Sequence, residues 1–258
     1  MRKYTQKYLQ FYKQIRKNQN YDFVKFCVKK YCTKMENKIS IQKIFNELEN
    51  FIDISDPDIN LPNITHCLQT AEGIRNDNHP EWLQLIGFIH DIGKIVYLKG
   101  CDKDGTSINS QWGIVGDTFI TGTKIPDLDD FSEFNKLNKD HIEHNEFYKE
   151  KCGLNNCLCS FGHDEYLFRI MLNNKNSFPP EAYFIVRYHS LYLLHKYNQY
   201  NYLLNDSDIK KIRWLKLFNK YDLYTKKNKI YEKKKLNSLK EYYFKLFKKF
   251  FGSYTIKI

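Results

Sequence analysis

Apolar residues recur at helical spacing along much of this chain, with polar residues filling the intervening positions. Ile41, Ile44, Phe45, Leu48 and Ile52 make one stripe behind Ser40, a good N-cap, and predict a helix over 41–52. Asn63 can cap the next segment, which carries His66. Pro80 suits the first turn of a helix that ends at His90-Asp91, with Gly93 just beyond it. Ser177 with Pro179 and Pro180 opens a helix running to His189, and Asn205 to Ser207 open one that bears Asp222. Ser238 and Glu241 form a capping box for an amphipathic helix presenting Leu239, Tyr242, Tyr243, Leu246, Phe247 and Phe250, with Gly252 as its stop. Between Gly100 and Asp140 the signals change to Gly, Asp and Pro among short Thr/Ile/Phe/Val runs, which predict loops and a short hairpin. The expected fold class is all-α, a helical bundle with an irregular segment around 100–140. No repeat or linker interrupts it, so residues 1–258 are expected to form a single domain.

Some polar residues break these stripes from within. Asp222 lies seven and four residues beyond Leu215 and Phe218, on their face of the helix. His189 stands in the same relation to Ala182, Ile185 and Val186, and His90 to Leu83 and Ile86. A charged Asp aimed into an apolar face is costly unless it is paired or coordinates a metal. A buried histidine is often only a hydrogen-bonded core residue, and spacing alone leaves both readings open. Six candidate ligands nevertheless follow one another along the chain: His66, His90, Asp91, His163, His189 and Asp222. Four imidazoles and two carboxylates are what two transition-metal ions sharing a bridge would need.

Composition narrows the classes. With 258 residues, 42% hydrophobic and 16% aromatic, the chain can bury a full core. Residues 1–20 are charged throughout and lack the apolar core of a signal peptide, and no apolar run approaches the ~20 residues of a membrane span. Seven cysteines, an odd number, are expected to be reduced thiols in a cytoplasmic protein. Cys152, Cys157, Cys159 and His163 could be read as a zinc knuckle, but their spacing suits small buried residues beside a loop better. Charge is uneven: from Thr225 to Ile258, eleven lysines face two glutamates, so this segment carries +9 of the net +11. A basic tail can serve nucleic acid or an anionic membrane. Its aromatic stripe instead favours a docked terminal helix with lysines in water, and neither nucleic acid nor membrane is expected as a partner.

Longer strings carry a family resemblance. His66, His90-Asp91 and Asp222 follow the order of the HD-domain superfamily of helical, metal-dependent phosphohydrolases. Asp53-Ile54-Ser55-Asp56-Pro57-Asp58, His66 to Arg75 and His90-Asp91-Ile92-Gly93-Lys94 resemble its myo-inositol oxygenase branch, as do Gln111-Trp112 and Val115 to Phe119. The similarity continues through Cys152-Gly153-Leu154, Gly162 to Tyr166, Arg187-Tyr188-His189-Ser190 and Phe218 to Lys226, covering nearly the whole chain in order. The resemblance implies an HD-domain-like fold and two iron ions per chain, mixed-valent Fe(II)/Fe(III) in the active form. His66, His90, Asp91 and Asp222 would hold the first iron, and Asp91 would bridge to a second held by His163 and His189. It implies oxidation of myo-inositol by dioxygen, with ring cleavage to D-glucuronate, by a protein expected to be a monomer. Lys94 and Asp91 would be catalytic, and Arg2, Asp53, Ser55, Lys94, Gly116, Asp117, His189 and Ser190 would contact the substrate.

Departures from the family pattern fall outside the ligands. Phe161 stands where the family usually has Trp, and Leu193-Leu194 differ from the usual string. Arg2 has only Met1 before it, so an N-terminal arm covering the site is expected to be missing. Two other functions compete with the oxygenase. A phosphohydrolase on the same scaffold would explain the six ligands, and a basic interaction module would explain only the tail.

Overall fold

The computed structural model describes residues 4–55, 62–144, 146–224 and 231–258. Arg2, Asp56 to Asp58, and Thr225-Lys226 lie outside the described residues. The chain is mostly helical, and its helices follow from apolar stripes closed by local caps. α1 (Gln6–Asn18) begins where Thr5 accepts from the Tyr8 amide, and α2 (Tyr21–Cys32) where Asn20 accepts from that of Phe23. A three-residue strand β1 (Lys38–Ser40) leads into α3 (Ile41–Glu49), which Ser40 caps as expected. The stripe overshoots here: α3 stops at Glu49, Ile52 is exposed, and Phe51 turns inward instead.

α4 (Asn63–Asn76) and α5 (Glu81–Ile89) pack against each other, and α5 is buried from Leu83 to Ile89. After a largely irregular stretch come the short α6 (Lys139–Ile142), α7 (His163–Asn173), α8 (Pro180–Tyr188) and the single turn α9 (Tyr192–His195). α10 (Asp206–Tyr224) packs on α4, α5 and α8, and α11 (Lys233–Phe251) covers α5 and α3. Gly252 ends α11 in the left-handed conformation. Ser238 is not its cap, because the helix already runs from Lys233. Leu239, Tyr243, Leu246 and Phe247 are buried, while Lys240 and Lys249 pair with Glu49 and Glu81.

Strand pairing within 100–140 is limited to a bridge from Ile120 to Cys159, outside that stretch. The two-stranded sheet joins distant parts of the chain, pairing β1 antiparallel with β2 (Thr255–Lys257) and setting Ile39 opposite Ile256. One apolar core runs through these elements except the short α6, whose Ile142 is exposed. No helix of the described residues is long and apolar enough to cross a membrane.

The segment after α5 is a tight 3₁₀ turn, Ile92–Lys99, that packs on the start of α7. A Cβ at Gly93 would lie 2.0 Å from the His163 carbonyl oxygen and 2.7 Å from its carbon. Only glycine lets the turn bring Asp91 and His163 together. Gly93→Ala is therefore expected to cost about 2 kcal/mol or more, the scale of overpacking against backbone. Urea unfolding checks this; an unchanged midpoint would mean the turn has room to move.

Candidate metal centre and polar pocket

Helix ends supply the donors, because there a side chain can leave the apolar stripe while its neighbours stay buried. His66 comes from α4, His90 caps the C-terminus of α5, and Asp91 opens the 3₁₀ turn. His163 is the first residue of α7, His189 caps α8, and Asp222 lies in the last turn of α10. His90, Asp91, His163, His189 and Asp222 are all buried. They form two groups able to hold metal ions, His66/His90/Asp91 and Asp91/His163/His189, with Asp91 common to both.

Its two oxygens divide between the groups. Oδ2 lies 3.5 Å from His90 Nε2 and 4.0 Å from His66 Nε2, whereas Oδ1 lies 3.3 Å from His163 Nε2. Asp222 Oδ1 completes the first group, 2.9 Å from His66 Nε2 and 3.3 Å from His90 Nε2.

The imidazoles are oriented by their second nitrogens. Nδ1 of His90, His163 and His189 faces the carbonyl oxygens of Gly87, Ile114 and Val186 at 2.8–3.0 Å. A proton on each Nδ1 directs the Nε2 lone pair inward, the arrangement that metal-binding histidines adopt. Nε2 atoms then meet in pairs, His66 with His90 at 3.2 Å and His163 with His189 at 3.1 Å. Two lone pairs at that distance repel unless a cation or an added proton lies between them.

Charge tells the same story. Asp53, Asp91, Asp164 and Asp222 are each desolvated by burial, yet neighbouring cationic groups hold their carboxyls below the usual range. Against these four carboxylates stands the Lys94 ammonium. Burial opposes a charged His163, but Asp164 and Asp91 outweigh it and push the group up to about 9. His189 goes the other way, lowered by its burial despite Asp164 nearby. With three excess negative charges among four histidines, the site needs protons or metal ions. Metal ions satisfy the lone pairs and the carboxylates together, so the donor set fits two of them.

A pocket of about 430 Å³ opens onto this nest. Lys94, buried rather than solvated, donates from Nζ to Asp53 Oδ2 at 2.7 Å and to Asp91 Oδ2 at 2.9 Å. Asp53 Oδ1 accepts from both the amide and the hydroxyl of Ser55. Gln111 pins the loop before them, its Oε1 accepting from the Ile54 amide and its Nε2 donating to the Ile52 carbonyl. Gly116, at φ +101°, turns the opposite wall so that Asp117 faces the pocket. The depth of that recess desolvates Asp117 and raises its carboxyl to about 6. Ser190 also lines the pocket and donates to Asp164. Apart from Arg2, which lies outside the described residues, the expected site residues therefore converge on one place.

Other residues join them. Asn63 is the first residue of α4 rather than its cap, and its amide donates to Asp91 Oδ2 at 2.7 Å. Asp164 Oδ1 lies 3.0 Å from His189 Nδ1 and helps orient that ring. Phe218 packs edge-on against His90 and His189. Tyr4, Tyr8 and Tyr12, spaced four apart on the α1 side, line the pocket with Phe131. Tyr8 donates to the Ser55 carbonyl and Tyr12 to Asp117. That spacing was the available signal for the tyrosines. Cys157 and Cys159 are buried and belong to neither metal-ligand group, so no zinc knuckle forms among the described residues.

A helical bundle whose helix ends converge on paired His/Asp groups defines the class, a protein with a site able to hold metal ions beside a polar pocket. The family model for myo-inositol oxygenase matches residues 5–258. "Probable inositol oxygenase" from Oryza sativa subsp. japonica is 40% identical, over 94% of this chain and 78% of the relative. "Inositol oxygenase" from Dictyostelium discoideum is 41% identical over 83% and 73%, and that from Danio rerio 38% over 93% and 84%. The chain belongs to the myo-inositol oxygenase family.

Proposed function

We propose that this protein is an inositol oxygenase that opens the ring of myo-inositol with dioxygen to give D-glucuronate, a four-electron oxidation. The observation that carries this reading is the division of Asp91 between two histidine groups, directly beside Lys94 at a polyol-sized pocket. Family membership supports the substrate and the reaction. We assign His66, His90, Asp91 and Asp222 to one iron and Asp91, His163 and His189 to the other. The imidazole and carboxylate donors suit iron, and family membership supports one ferrous and one ferric ion in the active form. When bound, the iron pair would supply the Lewis acidity and redox capacity that the oxidation requires.

The protein's own groups position the ring. Asp53 is anchored by Lys94 and by Ser55 and offers its remaining lone pairs to substrate hydroxyls. Asp117 and Ser190 meet the ring from the other wall. Lys94 keeps its proton: burial alone would lower its pKa, but Asp53 and Asp91 raise it above the ordinary lysine range. With two N–H groups engaged by those carboxylates, the third can donate to the oxygen on the reacting carbon and stabilise it as its own proton leaves. Tyr8 and Tyr12 hold α1 against the pocket and restrict the entry of water.

The 1–258 chain is taken as one HD-domain-like unit, a monomer in the cytoplasm. The continuous apolar core supports the single unit. Iron-loaded protein supplied with inositol and air should consume oxygen and release glucuronate. Hydrolysis of phosphate esters without inositol-dependent oxygen uptake would favour a phosphohydrolase instead.

Asp117 gives the reading a pH signature. Its carboxyl is raised to about 6, so the folded protein holds a proton that an unfolded Asp releases near 4. Stability from this group is present at low pH and declines as pH rises through the 4–6 window. Substrate binding follows the opposite course if the carboxylate accepts hydroxyl protons. The KM for inositol should rise below pH 6 in the parent protein. Asp117→Asn should raise KM by about 10-fold, the scale of a charge-assisted hydrogen bond, flatten that pH dependence and raise Tm at pH 7. A variant with parental KM and pH profile would remove Asp117 from the substrate site.

A further inference from the structure

Cys152 and Cys157 lie apart from the chemistry assigned above and close to each other. Their sulfurs are 3.7 Å apart, and both thiols point at the Gly153 carbonyl oxygen, at 3.6 and 3.7 Å. The turn that carries them is fastened at several points. Lys151 and Gly153 donate backbone N–H groups to the carbonyls of Tyr202 and Leu203, and the Leu154 amide donates to Asp208. Asn156 donates its side-chain amide to the Cys152 carbonyl, and the Cys157 amide donates to that of Leu154. The two thiols are therefore held together by the backbone rather than by chance rotamers. Cys152 is half-buried and can meet a reagent, whereas Cys157 is 1% exposed.

We propose that Cys152 and Cys157 form a redox-active dithiol that closes reversibly into a disulfide by exchange with a small-molecule disulfide of the glutathione type. A disulfide has its sulfurs about 2.0 Å apart, so closure needs an approach of roughly 1.7 Å, within reach of a side-chain rotation at the half-exposed Cys152. Cys152 loses its proton and attacks one reagent sulfur, making a mixed disulfide and releasing one reagent thiol. The Cys157 sulfur then attacks Cys152 Sγ. The bond to the reagent breaks, and the Cys157 proton leaves with the second reagent thiol. Two protein sulfurs are oxidised by one electron each and two reagent sulfurs are reduced, so the exchange balances. The order of events follows from burial, which raises the Cys157 thiol and keeps it protonated until its neighbour has reacted. Disulfides in reducing compartments are usually transient and redox-sensing, which is the behaviour expected of this pair.

The consequence is local to the approach to α7. Cys157 stands six residues before His163, and the intervening segment is held by the Ile120–Cys159 bridge and by the bond from the Ser160 amide to the Phe119 carbonyl. Closure would stiffen the turn between that segment and the 201–208 stretch.

The test uses full-length protein, first reduced and then treated with glutathione disulfide, acid-quenched and alkylated. Tandem mass spectrometry of the peptide 152–169 should find the major product two hydrogens lighter, with Cys152 and Cys157 unalkylated and Cys159 alkylated. Dithiothreitol should restore both thiols. Cys157→Ala should leave a stable glutathione adduct at Cys152, because nothing resolves it. A stable adduct at Cys152 in the parent, a disulfide that includes Cys159, or three alkylated thiols after treatment would each overturn the proposal. The parent measurement decides the matter even if the variant fails to fold. Because no step involves iron or inositol, the result stands apart from the oxygenase reading.

Discussion

Replacing Asp91 with alanine is expected to empty both halves of the metal centre at once. Each of its oxygens faces a different histidine group, so the change removes a donor from both and leaves the paired Nε2 atoms without their shared counter-charge. Turnover with inositol should fall by more than ~10³-fold, since the ions that supply the chemistry are gone. Metal analysis of iron-replete protein should read well under one ion per chain, against two in the parent. His163→Ala is the matched comparison. It touches one group, so it should keep about one ion and most of the metal-linked stability. Two ions retained by Asp91→Ala would show that the carboxylate is not shared.

Lys94→Ala is expected to separate chemistry from metal binding. Lys94 donates to Asp53 and Asp91 but stands in neither metal-ligand group. Both ions should therefore remain. The rate should fall by about 3 kcal/mol, roughly 10²-fold, the scale for removing one donor from developing negative charge. Stability responds differently in the two states. Without metal, the variant leaves Asp53 and Asp91 buried together with no cation between them, a loss on the order of 3 kcal/mol. Metal loading offsets much of that loss, so added iron should raise Tm more in Lys94→Ala than in the parent. Parental kcat with two ions bound would make Lys94 a structural lysine.

The parts of this site that the sequence revealed were those with a mechanical signature. Asp222, His189 and His90 interrupt apolar stripes, and burial makes such interruptions costly enough to be informative. The strings around them then pointed to one family. Asn63 illustrates what stayed hidden. A helix-opening Asn reads locally as a cap, but Asn63 lies already inside α4, and its amide donates to Asp91, 28 residues away. Asp164 was overlooked beside His163 because two of its partners, His189 and Ser190, come from another helix end, and only His163 is its neighbour in sequence.

The fold shows the same division. The stripe through Ile52 read as a continuing helix, yet Phe51 fills the core and the chain turns after Glu49. Pairing of β1 with β2 joins residues 38–40 to 255–257, and no local pattern specifies so distant a contact. Ser238 looked like a helix start because Ser238 and Glu241 match a capping box, yet α11 already runs from Lys233.

Asp91 is proposed to hold two metal ions side by side at the floor of the pocket. X-ray absorption spectroscopy on iron-loaded protein, combined with metal counting, tests it directly. Two irons per chain are expected, with an iron–iron vector no longer than ~4 Å, as in paired catalytic sites, which is lost in Asp91→Ala. A single iron per chain, or a pair whose separation is unchanged without the Asp91 carboxylate, would contradict it.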